Sequence, residues 1–200
     1  MTEPIGRIRI ELQDIRPTIW REVDAPLAST LRALHDIIQV SLGWNDSHLF
    51  EFRAGGRRYG RPHPDFGFKV YSAKNIRVQP LVDRGIRNFT CLYDFGDYWK
   101  HDIAVTELLA GKPHVEYPAF VDGARRCPPD DVGGVAGFAE FLEAIRNPRH
   151  ERHEELVSWH ESLYWKRFDA NDIEVMRVHY GLAEIARRRR RSMPSHRRRR

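Results

Sequence analysis

Through residue 108 apolar and polar side chains repeatedly alternate at the two-residue period of a half-buried strand, whereas from Phe138 onward the apolar residues fall at helical spacing. Ile8, Ile10 and Leu12 against Arg7, Arg9, Glu11 and Gln13 predict a strand over Ile5 to Asp14. Beyond Pro17, the alternation of Ile19, Arg21 and Val23 with Thr18, Trp20 and Glu22 predicts a second. His48 to Arg53 reads as a third, with turn chemistry at Gly55-Gly56. Phe89 to Tyr93 and Tyr98 to Leu108 form a hairpin across Asp94-Phe-Gly-Asp97. Residues 61–67 read as a loop, and 68–79 and Tyr117 to Val121 give weaker strand signals. One helix interrupts early, with Leu31, Leu34, Ile37, Ile38 and Leu42 on one stripe, Ser29 or Thr30 as its cap and Gly43 just past its end. Three helices follow: one marked by Phe138, Phe141, Leu142 and Ile145 and ended by Asn147-Pro148, then Arg149 to Leu163, then Ile173 to Ala186 with Met176, Val178, Leu182 and Ile185 on one stripe. Strands leading and helices following imply an α+β fold: a mainly antiparallel sheet with one early helix and a C-terminal helical segment packed on it.

The charge is unevenly spread. The chain carries a formal net charge of +5, yet residues 187–200 hold nine arginines (Arg187, Arg188, Arg189, Arg190, Arg191, Arg197, Arg198, Arg199 and Arg200) and no acid. Residues 1–186 hold 24 basic and 28 acidic side chains, so the body is mildly acidic. The expected organisation is a single domain over 1–186 and a disordered Arg-rich tail over 187–200, because like charges repel and cannot bury a core. Nucleic acid is therefore a candidate partner for the tail alone, through sequence-independent counterion release. Cys91 and Cys127 are too few for a disulfide framework, the start lacks the apolar stretch of a signal peptide, and no run of 18 apolar residues exists. A cytoplasmic protein without membrane contact is expected.

A series of motifs carries a family likeness: Pro17-Thr-Ile-Trp-Arg-Glu22, Leu34 to Trp44, Ser47-His-Leu-Phe-Glu-Phe52, Tyr93 to Asp102, Tyr117-Pro118, Asp122-Gly123, and Cys127-Pro-Pro-Asp-Asp-Val-Gly-Gly134. In this order, over roughly residues 5–175, the chain resembles the plasmid Ri (pRiA4b) open-reading-frame-three-like family, also labelled as insertion-element passenger or resolvase-like proteins. The resemblance implies a compact α+β domain associated with plasmids and transposable elements, and it carries no activity. The activated serine ringed by arginines that a serine recombinase needs is not present in this sequence. The family usually has Glu at Asp130 and often Cys at Val132. If that cysteine and Cys127 form a metal site in relatives, this chain has lost a ligand.

Two acidic turns concentrate the chemistry-bearing residues. Asp94, Asp97 and His101 are candidate ligands for a divalent cation, since carboxylates and imidazole suit such ions. Against this, Asp and Gly are what a tight turn needs, and His101 shares a strand face with Trp99, Ile103 and Val105. The second turn places Asp130 and Asp131 beside Cys127 on a stiff Pro-Pro backbone. A thiol beside two acids is a poor nucleophile. With Trp20, Arg21, Trp44 and His48 these residues form a candidate cleft, although both tryptophans are equally suited to the core. His150, His153 and His160 read as a solvated helix face. No cofactor is evident beyond a divalent metal. With no recognised catalytic signature, the reading favoured from sequence is a non-enzymatic accessory or binding module of a mobile element, its tail in loose nucleic-acid contact. A metal-dependent hydrolase or phosphoryl-transfer enzyme built on the acidic turns is the alternative.

Overall fold

The computed structural model describes residues 2–62 and 69–192. Eight strands form one sheet: β1 (Pro4–Leu12), β2 (Trp20–Pro26), β3 (Phe50–Ala54), β4 (Arg57–Gly60), β5 (Val70–Ser72), β6 (Asn88–Tyr93), β7 (Trp99–Ala110) and β8 (Ala119–Ala124). Their order is β5-β4-β3-β6-β7-β1-β2-β8. Every pairing is antiparallel except β4 with β5. Five helices accompany it: α1 (Leu31–Leu42), α2 (Gln79–Asp83), α3 (Gly134–Arg146), α4 (His153–Tyr164) and α5 (Val175–Ser192). The expected α+β class and antiparallel bias hold. The single early helix does not: α2, started by Pro80 in its first turn, also precedes the central hairpin. The loop expected at 61–67 and the start of the strand expected over 68–79 fall partly outside the described residues.

Register explains the one-sided core. Phe89 pairs with Ile103, Ile103 with Ile10, and Ile10 with Arg21. In the neighbouring row Phe52 pairs with Cys91, Cys91 with His101, and His101 with Leu12. All of these side chains are buried. Residues one step along point the other way, where Arg7 pairs with Asp24 at 2.9 Å and Gln13 donates to Asp102 at 2.7 Å. Alternation thus places one face under the core and the other in water.

The early helix follows its signals closely. Thr30 caps it by accepting from the Ala33 amide at 3.1 Å, and Gly43 sits at φ 86° directly after it. The later helices depart from expectation in two places. In α4, His160 faces inward rather than outward, its ring 5.6 Å from Phe141 and 4.7 Å from Tyr164. In α5, Met176 is exposed, and the buried stripe is Val178, Leu182 and Ala186.

The arginine run also departs from expectation. Arg187 to Arg191 continue α5 as helix rather than starting a disordered tail. They find acids on the body: Arg187 pairs with Glu184 at 2.6 Å, Arg190 with Glu116 at 2.6 Å, and Arg189 with Glu3. Positive charge at a helix C-terminus is favourable to the helix dipole, and the acidic body neutralises the repulsion that composition alone predicts. Arg197 to Arg200 lie outside the described residues. No helix among the described residues is long and apolar enough to cross a membrane.

Candidate functional site

Three connections meet at one end of the sheet: the α1–β3 loop, the β6–β7 turn and the β8–α3 loop. Each needs left-handed backbone. Asp46, Asp94, Tyr98 and Asp131 all have φ between 53° and 62°. Aspartate tolerates this region because its short side chain can bond locally. Asp94 does so, with Oδ1 accepting from the Gly96 amide at 2.8 Å while its carbonyl accepts from the Tyr98 amide at 2.7 Å. The turn is then tied to the β8–α3 loop, where the Gly133 amide donates to Asp97 Oδ2 at 3.1 Å. Gly134, at φ 67°, lies so close that a Cβ there would sit 2.5 Å from the Asp97 carbonyl oxygen. Trp44 completes the clamp by donating its indole N–H to the Pro128 carbonyl at 2.9 Å.

Within this clamp His48, Asp94 and Asp131 converge, with one ligand atom from each lying within 4.8 Å of the others. His48 Nε2 stands 3.0 Å from Asp131 Oδ1 and 3.6 Å from Asp94 Oδ2. That nitrogen is shielded from solvent and is oriented so that it makes no hydrogen bond. Asp94 is nearly buried, its side chain 10% exposed, whereas the Asp131 side chain is 70% exposed. The cluster is therefore rooted in the protein on one side and open on the other. Asp130 lies alongside, its Oδ2 accepting from the Asn45 amide at 3.3 Å. Burial pushes the Asp130 carboxyl up, and the charges of Asp131 and Asp94 add to this against the Asn45 hydrogen bond. Burial likewise pushes the Tyr93 phenol up to about 12, which keeps it a neutral hydrogen-bonding group.

The cation ligands expected from sequence are rearranged. Asp94 stays. Asp97 is spent on the Gly133 amide. His101 is fully buried on the core face of β7, its Nδ1 3.1 Å from the Cys91 carbonyl and its ring edge-on to Trp44. His48, named from sequence as a cleft member, and Asp131, named with the second acidic turn, are the residues that lie beside Asp94 instead. Of the wider candidate cleft, Trp44 is buried in the clamp. Trp20 lies on the outer face under the Arg9 guanidinium, 3.9 Å from its ring centre. Arg21 is buried in the core, donating from Nε to the Ser41 carbonyl at 2.8 Å and from Nη1 to the carbonyls of Trp20 and Ala124 at 2.7 and 3.1 Å. Cys127 is buried, which pushes its thiol up and keeps it protonated.

One side of His48 also opens onto a groove of about 790 Å³. Its wall includes Arg32, Arg61 and Lys74, none of which the sequence pattern singles out. They come from α1, from the segment after β4 and from the turn after β5, and no local spacing links them.

A one-sided, eight-stranded α+β sheet that gathers imidazole and carboxylates at its loop end is the class this fold and site define. The chain belongs to the plasmid pRiA4b ORF-3-like protein family, whose model matches residues 4–177. It is 34% identical over 135 residues to uncharacterized protein y4hQ of Sinorhizobium fredii, covering 67% of this chain and 69% of that one. It is also similar to the crystal structure of the protein of unknown function MM3350 from Methanosarcina mazei Go1. There the identity is 30% and the TM-score 0.77, over 86% of this chain and 94% of that one.

Proposed function

We infer that this protein is a metal-dependent hydrolase or phosphoryl-transfer enzyme whose divalent cation is held by His48, Asp94 and Asp131. The observation that carries this reading is the convergence of the three side chains from two different loops and a turn, with a shielded imidazole nitrogen that makes no hydrogen bond. A shielded nitrogen that faces two carboxylates without a hydrogen bond is costly, and a cation between them would satisfy all three. One imidazole and two carboxylates suit zinc or manganese and leave coordination positions open for water and substrate, as catalytic rather than structural sites do. A cation in such a site supplies an activated water and polarises the bond to be broken. The chain's own part is to orient Asp94 through the Gly96 amide, to fix the two acidic loops against each other through Asp97 and Gly133, and to leave Asp131 facing solvent.

Titration of tag-free full-length protein with Mn²⁺ or Zn²⁺ in a calorimeter is expected to show one site. His48→Ala and Asp131→Asn should each weaken binding at least about tenfold, since each removes one of three protein ligands. An unfolding temperature indifferent to both chelator and added cation, together with a flat titration, would overturn the reading.

The accessory-module reading retains one favourable observation: Arg188 and Arg191 are exposed on α5. Their neighbours Arg187, Arg189 and Arg190 are already held by acids of the body. On that reading, DNA binding at low salt should fall when residues 187–200 are removed and should weaken steeply as salt rises.

A further inference from the structure

We propose that the groove beside His48 is the binding site for a phosphorylated small molecule, with the phosphate held between the cation and Lys74 and Arg61. This inference rests on the cation reading above and deepens it by naming the substrate class. Residues 1–186 carry more acid than base, yet the charged side chains lining this concavity are mainly basic. The groove wall carries Arg32, Arg61 and Lys74 against a single carboxylate, Asp46. Arg32 is held in place by ion pairs to Asp36 and Asp46, so it is a positioned cation more than an available one. Arg61 and Lys74 are exposed, and neither is paired with a carboxylate among the described residues.

His48 belongs to both features. Its Nε2 faces Asp94 and Asp131, and the residue lines the groove. The groove and the cluster therefore adjoin at His48, the one residue they share, while Asp94 and Asp131 stand outside the groove wall. Ser47 and Ser72 add hydroxyl donors to the same wall. A group bearing two negative charges and several acceptor oxygens answers all of these at once: oxygens for the cation and hydroxyls, charge for the guanidinium and ammonium. A volume of about 790 Å³ lies in the range of small-molecule pockets. In hydrolysis, the oxygen of the cation's water would form the new bond to phosphorus while the bond from phosphorus to the ester oxygen breaks. The departing alkoxide would take a proton that the water loses.

The test uses full-length tag-free protein, phenyl phosphate as probe, and benzenesulfonate as a singly charged control of similar shape. Wild-type protein loaded with Mn²⁺ is expected to bind phenyl phosphate at least about tenfold more tightly than the metal-free form. The pair Arg61→Ala and Lys74→Ala, both exposed and so tolerated by the fold, should abolish most of that gain while leaving Mn²⁺ affinity unchanged. If Mn²⁺ binds but phenyl phosphate does not, or if the double variant binds it as well as wild type, the groove assignment fails and the cation reading stands. Equal affinity for benzenesulfonate would also overturn it, since the groove would then hold any anion. If Mn²⁺ itself does not bind, the cation reading fails and takes this inference with it.

Discussion

Between pH 7 and pH 5 the protein is expected to lose about 4 kcal/mol of stability, roughly 2 kcal/mol for each of two buried histidines. Burial pushes His35 and His101 down to about 4. Asp46 pulls His35 the other way through its 2.8 Å contact with Nε2, and burial outweighs it. The sign follows from linkage. In the unfolded chain both imidazoles take up a proton as pH falls through about 6.5, while in the folded chain they remain neutral until about pH 4. The unfolded state therefore binds more protons across this window, and stability falls as pH falls. Each histidine has a ring nitrogen with no partner, Nδ1 of His35 and Nε2 of His101, so a second proton would be buried without an acceptor. The two also repel, because charge on His35 disfavours charge on His101. Urea midpoints at pH 7, 6 and 5 check this. His35→Gln and His101→Gln should each remove about 2 kcal/mol of the pH dependence, whatever they cost at pH 7, and buried His160, also pushed down, adds to it in the same direction. A midpoint constant over this range would show that these rings titrate as exposed ones do.

Arg21→Met is expected to destabilise the fold by about 4 kcal/mol, a large share of the 5–15 kcal/mol that holds a typical domain together. The guanidinium occupies a position in the sheet row that otherwise holds Phe89, Ile103 and Ile10. It is tolerated there because it reaches three carbonyls at once. One of them, Ser41, lies in the last turn of α1, where helix carbonyls lack partners of their own and present partial negative charge. The other two belong to β2 and β8, so the side chain ties the helix to the sheet edge. Methionine keeps much of the stem but removes the donor from three carbonyls, that of Ser41 in a buried contact and those of Trp20 and Ala124 in half-buried ones, and an orphaned acceptor costs about 1–3 kcal/mol. Chemical denaturation of the variant at pH 7 measures the effect. A loss below about 1 kcal/mol would mean that water reaches these carbonyls and that Arg21 is not the lock the geometry describes.

Much of the frame was legible in the residues. Period-two alternation marked β1, β2 and the β6–β7 hairpin, because a strand with one dry face leaves no other pattern. It also placed His101 among apolar neighbours and turned Asp102 away from it, as the register confirms. The same rule put Arg21 on the face of Ile19 and Val23, but charge argued for a cleft, and only the three waiting carbonyls explain its burial. The short helix α2 and the strand β4 went unseen, being 5 and 4 residues long and offering no full period to read. His160 was misplaced because the surrounding glutamates made α4 look polar on every side. The arginine run was read as disordered because composition weighs its self-repulsion, whereas the folded body supplies Glu3 and Glu116, far away in the chain.

The sequence by itself determined which face each strand residue takes, where α1 starts and stops, and that two acidic turns would concentrate carboxylates. Tertiary structure alone decided which of those carboxylates meet an imidazole. His48 lies 46 residues from Asp94 and 83 from Asp131, and periodicity is silent on which loops share an end of a sheet. The strand order sets that: β3 joins β6, and the clamp made by Gly134, Asp97 and Trp44 brings the β8–α3 loop alongside. Local pattern sets the direction of a side chain, and only closure of the chain over long separations sets its neighbours.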